Sequence, residues 1–548
     1  MSGTAPRTLR LDGSSLSIDD LAPLARGEAV RVEVDPSTHD RVRASRAMVE
    51  AHVAAGDVVY GLTTGFGKLK NVAVPTEDLT ELQRNLVVSH CVGVGDPMPT
   101  REVRIAQVLR LNSLLRGVSG VRLELVEFLA RTFNAGFVPV VPQQGSVGAS
   151  GDLAPLAHMA AAMMGHGEAV VDGRRLAARD GLAAAGLEPL ELTAKEGLAL
   201  INGTEIMKAS AVVSVLRATN LSRAADAIAA LSIEALKGSV RPFQDLLASL
   251  KNNEGQRRTA ANVRACLAHS EVLASHEDCD RVQDPYSLRC VPQIHGAFKT
   301  ALGHVTEVLR GELNAVTDNP LVVPETGEVF SAGLFHGQPL SMILDYLGLS
   351  ACTLANVSER RVEQLVNPDL SGLPAFLSPE PGLHSGLMIA QYAAAALASE
   401  NKVHAHPASV DTIPTSANQE DHVSMGVTAA RKARTIFDNV EAGLGIELLC
   451  GAQAREFTKD LRAGRGAEAA HAELRKVVEP LASDRYLEPD LRAAKECVAS
   501  GALVRAVEGA PHRPLDRTHD RTARDALLVS AQFRLQIAIG GKRLDDLA

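Results

Sequence analysis

Between residues 207 and 236 the chain runs through alanine, valine, leucine and isoleucine almost without a break, and its few interruptions decide what the run is. Lys208, Arg217, Arg223 and Asp226 are among the charges that break it, too many to carry across a bilayer cheaply. Over 195–237 the apolar residues keep a helical period, which predicts a long helix covered by protein. Comparable segments lie near 293–316, 338–365, 386–403, 420–455 and 521–539. Another runs from Thr100, a candidate cap, to Gly117. No heptad run, internal repeat or low-complexity linker accompanies them. Helices this long and apolar bury their faces by packing on one another, so the predicted fold is mainly α: a large bundle of long helices.

Strand signals are few and short. Val30, Val32 and Val34 alternate and predict a small β-hairpin within the first 35 residues. Two more hairpins are expected at "EAVVDGRRL" (168–176) and at "LVVPETGEVF" (321–330), the latter turning at Thr326-Gly327. A length of 548 by itself suggests about three to four domains, but a helical core can absorb such a chain as one unit. Residues 1–548 are read as one unit with three parts. These are an N-terminal part over roughly 1–200, a central long-helix bundle over 201–457, and a more variable helical section over 458–548.

Composition excludes several functions. Lys+Arg 56 against Asp+Glu 65 leaves a net −9, so binding to a phosphate backbone has no bulk electrostatic support. With no Trp, twelve Phe and five Tyr, stacking surfaces for single-stranded nucleic acid are not expected. Seven cysteines without a C-x-x-C pattern fit a reducing compartment. The N-terminus has no apolar stretch of the secretory kind. A cytoplasmic protein without a nucleic-acid or membrane partner is expected.

The loops between the helices are rich in glycine, proline and amide side chains, and rigid scaffolds usually carry their sites on such loops. One of them, "GSVGASGDLAP" at 145–155, leads into an alanine- and methionine-rich helical stretch. As an anion cradle it lacks the lysine of a phosphate loop, and Asp152, taken as the first helical residue, would repel phosphate. As a serine elbow it fails, because Gly148-Ala149-Ser150-Gly151-Asp152 does not follow G-x-S-x-G. It can be a tight helix entry made of small residues. It also has the composition for backbone self-cyclisation. The Gly151 nitrogen would attack the Ala149 carbonyl carbon, and Ser150 would lose its hydroxyl to leave an exocyclic double bond. Loss of two waters gives a methylidene-imidazolone electrophile, and Gly145 and Gly148 permit the compressed backbone this needs.

"GSVGASGDLAPLAH" resembles the signature of the aromatic amino-acid ammonia-lyase family, whose electrophile forms from Ala-Ser-Gly. Further motifs follow in the family's order from about residue 57 to 455: "YGLTTGFG", "INGTE", "QDPYSLRC", "GLFHGQP" and "SANQEDHVSM". Thr63 departs from the asparagine that many histidine-acting members carry there, and the match fades after about 458. Two positions bear on the substrate. Ser89-His90 stands where members acting on phenylalanine or tyrosine typically carry an aromatic-Leu or His-Leu pair. Glu420-Asp421-His422 follows Asn418-Gln419 where those members continue with Asp and apolar residues. Both features resemble the histidine-acting branch, which implies elimination of ammonia from L-histidine to trans-urocanate, the first step of histidine degradation. A tyrosine or phenylalanine lyase or an aminomutase of the same family is the alternative, and a scaffold that has lost catalysis is a rival of another class.

The resemblance also implies the site. Ala149, Ser150 and Gly151 would form the electrophile, with no external cofactor. Tyr60 would remove the β-proton, which requires its phenol to be lowered from about 10. Gly61, Gly65 and Gly67 suggest a covering loop. Tyr286 would shape and protonate the electrophile site beside Gln283, and Arg289 would hold the substrate carboxylate. Asn202 would bond the electrophile carbonyl or that carboxylate, and Phe335 would wall the pocket. Glu420, as a buried carboxylate, and His90 would read the two nitrogens of an imidazole, and a phenyl ring would leave Glu420 unpaired. Addition of the amine and addition of the ring to the electrophile both stay open. His404, His406 and His422 invite a metal, but no zinc-type spacing supports one, so none is expected. Family members are typically homotetramers with sites built from three chains.

Overall fold

In the computed structural model, which describes residues 6–276 and 281–510, the long apolar segments are the helices that carry the molecule. Those that position the site are α1 (Ile18–Ala25), α2 (Leu79–Ser89), α3 (Thr100–Leu114), α4 (Ala154–Met163), α5 (Glu196–Ile201) and α6 (Glu205–Ala235), followed by α7 (Tyr286–Arg289), α8 (Val291–Leu313), α9 (Gln338–Val366), α10 (Met388–His404) and α11 (Gly426–Arg455). The segment predicted near 521–539 lies outside the described residues. The mainly helical fold is as expected.

At the centre α6, α9 and α11 pack against one another, with α8, α10 and α3 around them. Alanine-rich α6 is buried on almost its whole circumference, because small side chains let the neighbouring helices approach closely. The charges inside it meet polar partners. Asp226 meets His295 and Lys299, each at 2.9 Å, Arg217 grips Glu441, and Lys208 donates to the Ala315 carbonyl at 3.2 Å. Pairing of this kind is what lets a charge stand in a helix interior. By length and composition α9 resembles a membrane span, yet 67% of that stretch is buried under α11, α8, α10 and α6.

Three local expectations are corrected. The N-terminal hairpin is instead a parallel pair. β1 (Arg7–Leu11) and β2 (Val30–Val34) run from Arg7↔Val30 to Leu11↔Val34. The Ser17–Asp20 capping box nucleates α1 between them, and a helical crossover returns the chain in parallel. The helix predicted over 195–237 breaks at Asn202–Thr204, where Asn202 is extended and Gly203 stands at φ +147°. The helix predicted from 420 begins only at Gly426, because 415–420 folds into a turn closed by Thr415 and Glu420.

The remaining strands are β3 (Val94–Pro97), β4 (Val138–Pro139), β5 (Pro142–Gln144), β6 (Glu168–Val171), β7 (Arg174–Ala177), β8 (Leu321–Val323) and β9 (Glu328–Phe330). Both predicted hairpins form, as β6–β7 and β8–β9. β5 pairs with β3 and so brings the chain just after α2 beside the loop that follows residue 144.

Candidate active site

Ala149 and Ser150 form a turn between β5 and α4. Ser150 stands at φ +47° and Gly151 at +82°, flanked by Gly145, Gly148 and Leu153, also left-handed. A serine and a leucine held there carry about 1–2 kcal/mol of strain each. The turn is fixed by the break between α5 and α6. The Gly203 N–H donates to the Ser150 carbonyl at 3.1 Å, and the Asp152 N–H donates to the Gly203 carbonyl at 2.6 Å. The two backbones are so close that a Cβ on Gly151 would collide with the Gly203 carbonyl. Only glycine fits at 151, and its amide lies next to a turn that already doubles back.

Asp152 does not open the following helix. That helix starts at Ala154, and the Asp152 carboxylate, fully buried, accepts from the Ile206 and Met207 N–H groups at 2.7 and 3.3 Å. It caps the N-terminus of α6 across the structure, where a negative group is favoured. Burial pushes its carboxyl well above the usual range and Glu205 adds to this, while the two N–H groups and Arg110 oppose it.

Around the turn, Ala149 packs with Val423 and Met425, and the Met425 N–H donates to the Val147 carbonyl at 2.8 Å. Phe335, half-buried, precedes His336, which stacks on His422 at 5.7 Å. Gly337 lies against Met207 and Ser424, so the Phe335 loop borders the turn. Asn202 is 2% exposed. Its Nδ2 donates to the Asn319 carbonyl at 2.8 Å and to Asp318 at 3.3 Å, and Asp318 is held by buried Lys195 at 2.7 Å. Both amide hydrogens of Asn202 are thus committed inside the chain. Its Oδ1 is buried with no partner among the described residues.

The loop that follows Tyr60 covers this face. A Cβ on Gly61 would meet Leu198 of α5 at 2.6 Å and Pro320 at 2.9 Å. The Lys68 N–H donates to Ser416 at 3.1 Å, and Lys70 bonds Gln419, so the loop is docked on 415–420. There the Glu420 carboxylate, half-buried rather than buried as expected, accepts from the Thr415 hydroxyl at 2.7 Å. Tyr60 is not lowered by its own chain. Burial pushes its phenol up and Glu420 pushes it the same way, against a bond from the Gly67 N–H. His90 caps the C-terminus of α2, with Nδ1 2.7 Å from the Leu86 carbonyl. A carbonyl only accepts, so Nδ1 carries the proton and Nε2 is the ring nitrogen left for a ligand.

Gln283, Tyr286 and Arg289 lie elsewhere. They line a surface cleft of about 430 Å³ with Leu236, Gln364 and Asp369. The Arg289 guanidinium sits 4.5 Å from the Tyr286 ring centre and donates through Nε to the Asp284 carbonyl at 2.9 Å. Tyr286 is 70% exposed. Two helices measure the separation. α9 is preceded by Gly337, beside the turn's neighbours, and Arg361 near its far end bonds the Ser287 carbonyl of α7. α6 begins beside Gly203, and Leu236 at its far end lines the cleft. At 1.5 Å per residue these spans are roughly 36 and 46 Å. The chain brings Tyr60, Asn202, Phe335, Glu420 and the 149–151 turn to one end of the bundle, with His90 on the adjoining strand side. It holds Gln283, Tyr286 and Arg289 at the other end.

Sequence reasoning did not find Arg110, Glu205, Lys195 and Asp318, the buried charges beneath the turn. Gly203, in the quoted "INGTE", was the available signal. His404 lies 3.6 Å from Glu400, and the His406 carbonyl takes a bond from Lys432. No three His, Cys, Asp or Glu side chains gather into a metal-holding group among the described residues.

Residues 16–476 match the family model described as aromatic amino acid lyase. A histidine ammonia-lyase of Anaeromyxobacter dehalogenans is 51% identical over 505 residues, covering 90% of this chain and 99% of that protein. The crystal structure of histidine ammonia-lyase from Trypanosoma cruzi superposes with a TM-score of 0.85 at 40% identity, over 92% of this chain and 96% of that one. A tyrosine aminomutase from Streptomyces globisporus superposes with a TM-score of 0.87 at 36% identity, over 93% of this chain and all of that one.

Proposed function

Because the chain belongs to the aromatic amino acid lyase family, we propose that it is a carbon–nitrogen lyase that eliminates ammonia from L-histidine to give trans-urocanate, opening histidine degradation in the cytoplasm. One observation carries the choice of histidine: at 51% identity over nine-tenths of the chain the relative is a histidine ammonia-lyase, whereas the tyrosine aminomutase stands at 36%. Glu420 beside Tyr60 supports it chemically, since a carboxylate suits the N–H of an imidazole and has no partner on a phenyl ring. Incubation with histidine, tyrosine and phenylalanine tests it. Urocanate from histidine alone is expected, and coumarate, cinnamate or a β-amino acid would overturn it.

The residues fit an internal electrophile. The Gly151 nitrogen would bond the Ala149 carbonyl carbon. One water leaves with that carbonyl oxygen and the hydrogens of the Gly151 and Ser150 nitrogens. A second leaves with the Ser150 Oγ and Cα hydrogen. The left-handed turn and the glycine-only seat at 151 are the observations that support this. The resulting methylidene-imidazolone supplies an electron sink that no encoded side chain offers. Tyr60 takes the β-proton, Arg289 and Gln283 hold the substrate carboxylate, and Tyr286 protonates beside the electrophile. Asn202 keeps the floor polar, Phe335 excludes water, and Glu420 and His90 hold the ring. Since one chain keeps Arg289 and Tyr60 at opposite ends of α9, the complete site is built between copies, in a homotetramer.

Glu420→Gln replaces a charged acceptor by an amide, and a charge-assisted hydrogen bond is worth about 1.5–3 kcal/mol. The kcat/KM for histidine is expected to fall roughly 10- to 150-fold, with tyrosine and phenylalanine remaining non-substrates. Tyr60 acts as a base only when ionised, and burial raises its phenol. The kcat/KM is therefore expected to climb as pH rises from neutrality toward the phenol's value. In Tyr60→Phe that limb should vanish along with about 10²–10⁴-fold of the rate. An unchanged limb in the variant would assign the base elsewhere.

A further inference from the structure

We propose that Arg110 of α3 is a positioning residue for the electrophile, because it sets the orientation of the Asn202–Gly203 peptide that holds the Ser150 carbonyl. This rests on the reading above, in which Ala149, Ser150 and Gly151 cyclise. The Arg110 side chain is 3% exposed. It donates to the Ala199 carbonyl at 3.0 Å and the Asn202 carbonyl at 2.9 Å, and it pairs with Glu205. Glu205 also accepts from Thr317 at 3.1 Å, so the guanidinium is held from behind.

The Asn202 carbonyl and the Gly203 N–H belong to one planar trans peptide, and they point in opposite directions. Turning the oxygen toward Arg110 therefore turns the N–H away from it, onto the Ser150 carbonyl at 3.1 Å. A Cβ on Gly203 would collide with the Arg110 guanidinium, so the residue that offers this N–H is one that leaves room for the arginine.

The Ser150 carbonyl is the oxygen that survives both dehydrations. When Ser150 loses its Cα hydrogen as a proton and its Oγ as hydroxide, which together make the second water, negative charge collects on that oxygen as the double bond forms. A fixed donor aimed at an oxygen where charge develops is the arrangement that speeds such a step. Lysine cannot replace the arginine, because reaching two carbonyls and a carboxylate at once takes the planar fork of a guanidinium. The Nε of Arg110 is buried without a partner among the described residues, a cost this chain bears for the position of the fork.

The test compares the wild-type chain with Arg110→Lys, which keeps the charge opposite Glu205. Folding is checked by circular dichroism and elution volume. The fraction of the 149–151 peptide that has lost two waters is then followed by mass after a pulse of synthesis. Arg110→Lys is expected to fold, to mature at least about tenfold more slowly, and to lose kcat while KM for histidine stays within about twofold. Maturation at the wild-type rate would overturn the proposal. If Arg110→Lys does not fold, Arg110→Gln combined with Glu205→Gln removes both buried charges and is read in the same way. Failure of both to fold would make Arg110 a fold residue and overturn the proposal as well. A wild-type peptide that keeps both waters would instead refute the cyclisation itself.

Discussion

Ser150→Ala is expected to leave a folded protein whose 149–151 peptide keeps the mass of both waters and whose turnover of histidine falls on the order of 10³-fold or more. The substitution removes one atom, the Oγ that has to leave for the exocyclic double bond to form. Folding is spared because the constraints on the turn are backbone ones. The Gly203 N–H still meets the 150 carbonyl, Asp152 still caps α6, and alanine at φ +47° is strained about as serine is. The rate loss is large because no other group in the site can accept an electron pair from the substrate. The nearby Glu420 carboxylate and the ionised Tyr60 are themselves electron-rich and offer no sink. A Ser150→Ala protein that turns over histidine at the wild-type rate would remove the electrophile from the mechanism, whatever the mass of its peptide.

How far the sequence could be read differs from residue to residue, for physical reasons. The long helices were legible because burial of one face leaves a period in the sequence, and the hairpins because a turn such as Asp172-Gly173 needs residues that accept left-handed backbone. The first two strands were misread because alternation is the same for a parallel and an antiparallel partner. What separates them is the helix between, signalled only by Ser17 and Asp20. Asp152 reads as the first residue of the helix that follows, whereas it caps a different one, since a carboxylate two residues before an alanine-rich stretch carries no mark of a distant N-terminus. Arg110 reads as one more charge on a helix, because its meaning lies in carbonyls 89 and 92 residues away. The candidate site residues were each legible as motifs. Their division between two ends of the bundle was not, because the order of motifs along a chain carries no distances.

That division makes the second large effect a gain rather than a loss. Tyr60→Phe and Arg289→Met are each expected to be nearly inactive alone, yet a protein co-assembled from equal amounts of the two should recover activity. A Tyr60→Phe chain keeps Gln283, Tyr286 and Arg289 intact at the far end of α9. An Arg289→Met chain keeps Tyr60, the turn and Glu420 intact at the near end. If each site takes the two sets from different copies, random mixing gives about one quarter of the sites both native sets, and activity should approach that fraction of the wild-type value. The recovered sites should show the wild-type KM for histidine, since no native contact in them is missing. Arg289 is suited to the experiment because, among the described residues, its side chain bonds only the Asp284 carbonyl and lies over the exposed Tyr286 ring, so its removal costs the fold little. Were both sets to serve one site within a single chain, mixing would yield nothing beyond the sum of the two variants. The roughly 36 Å between Gly337 and Arg361 along α9 leaves a rigid helix no way to bring the two sets together within one chain, so recovery on mixing is the outcome expected if both sets serve one site.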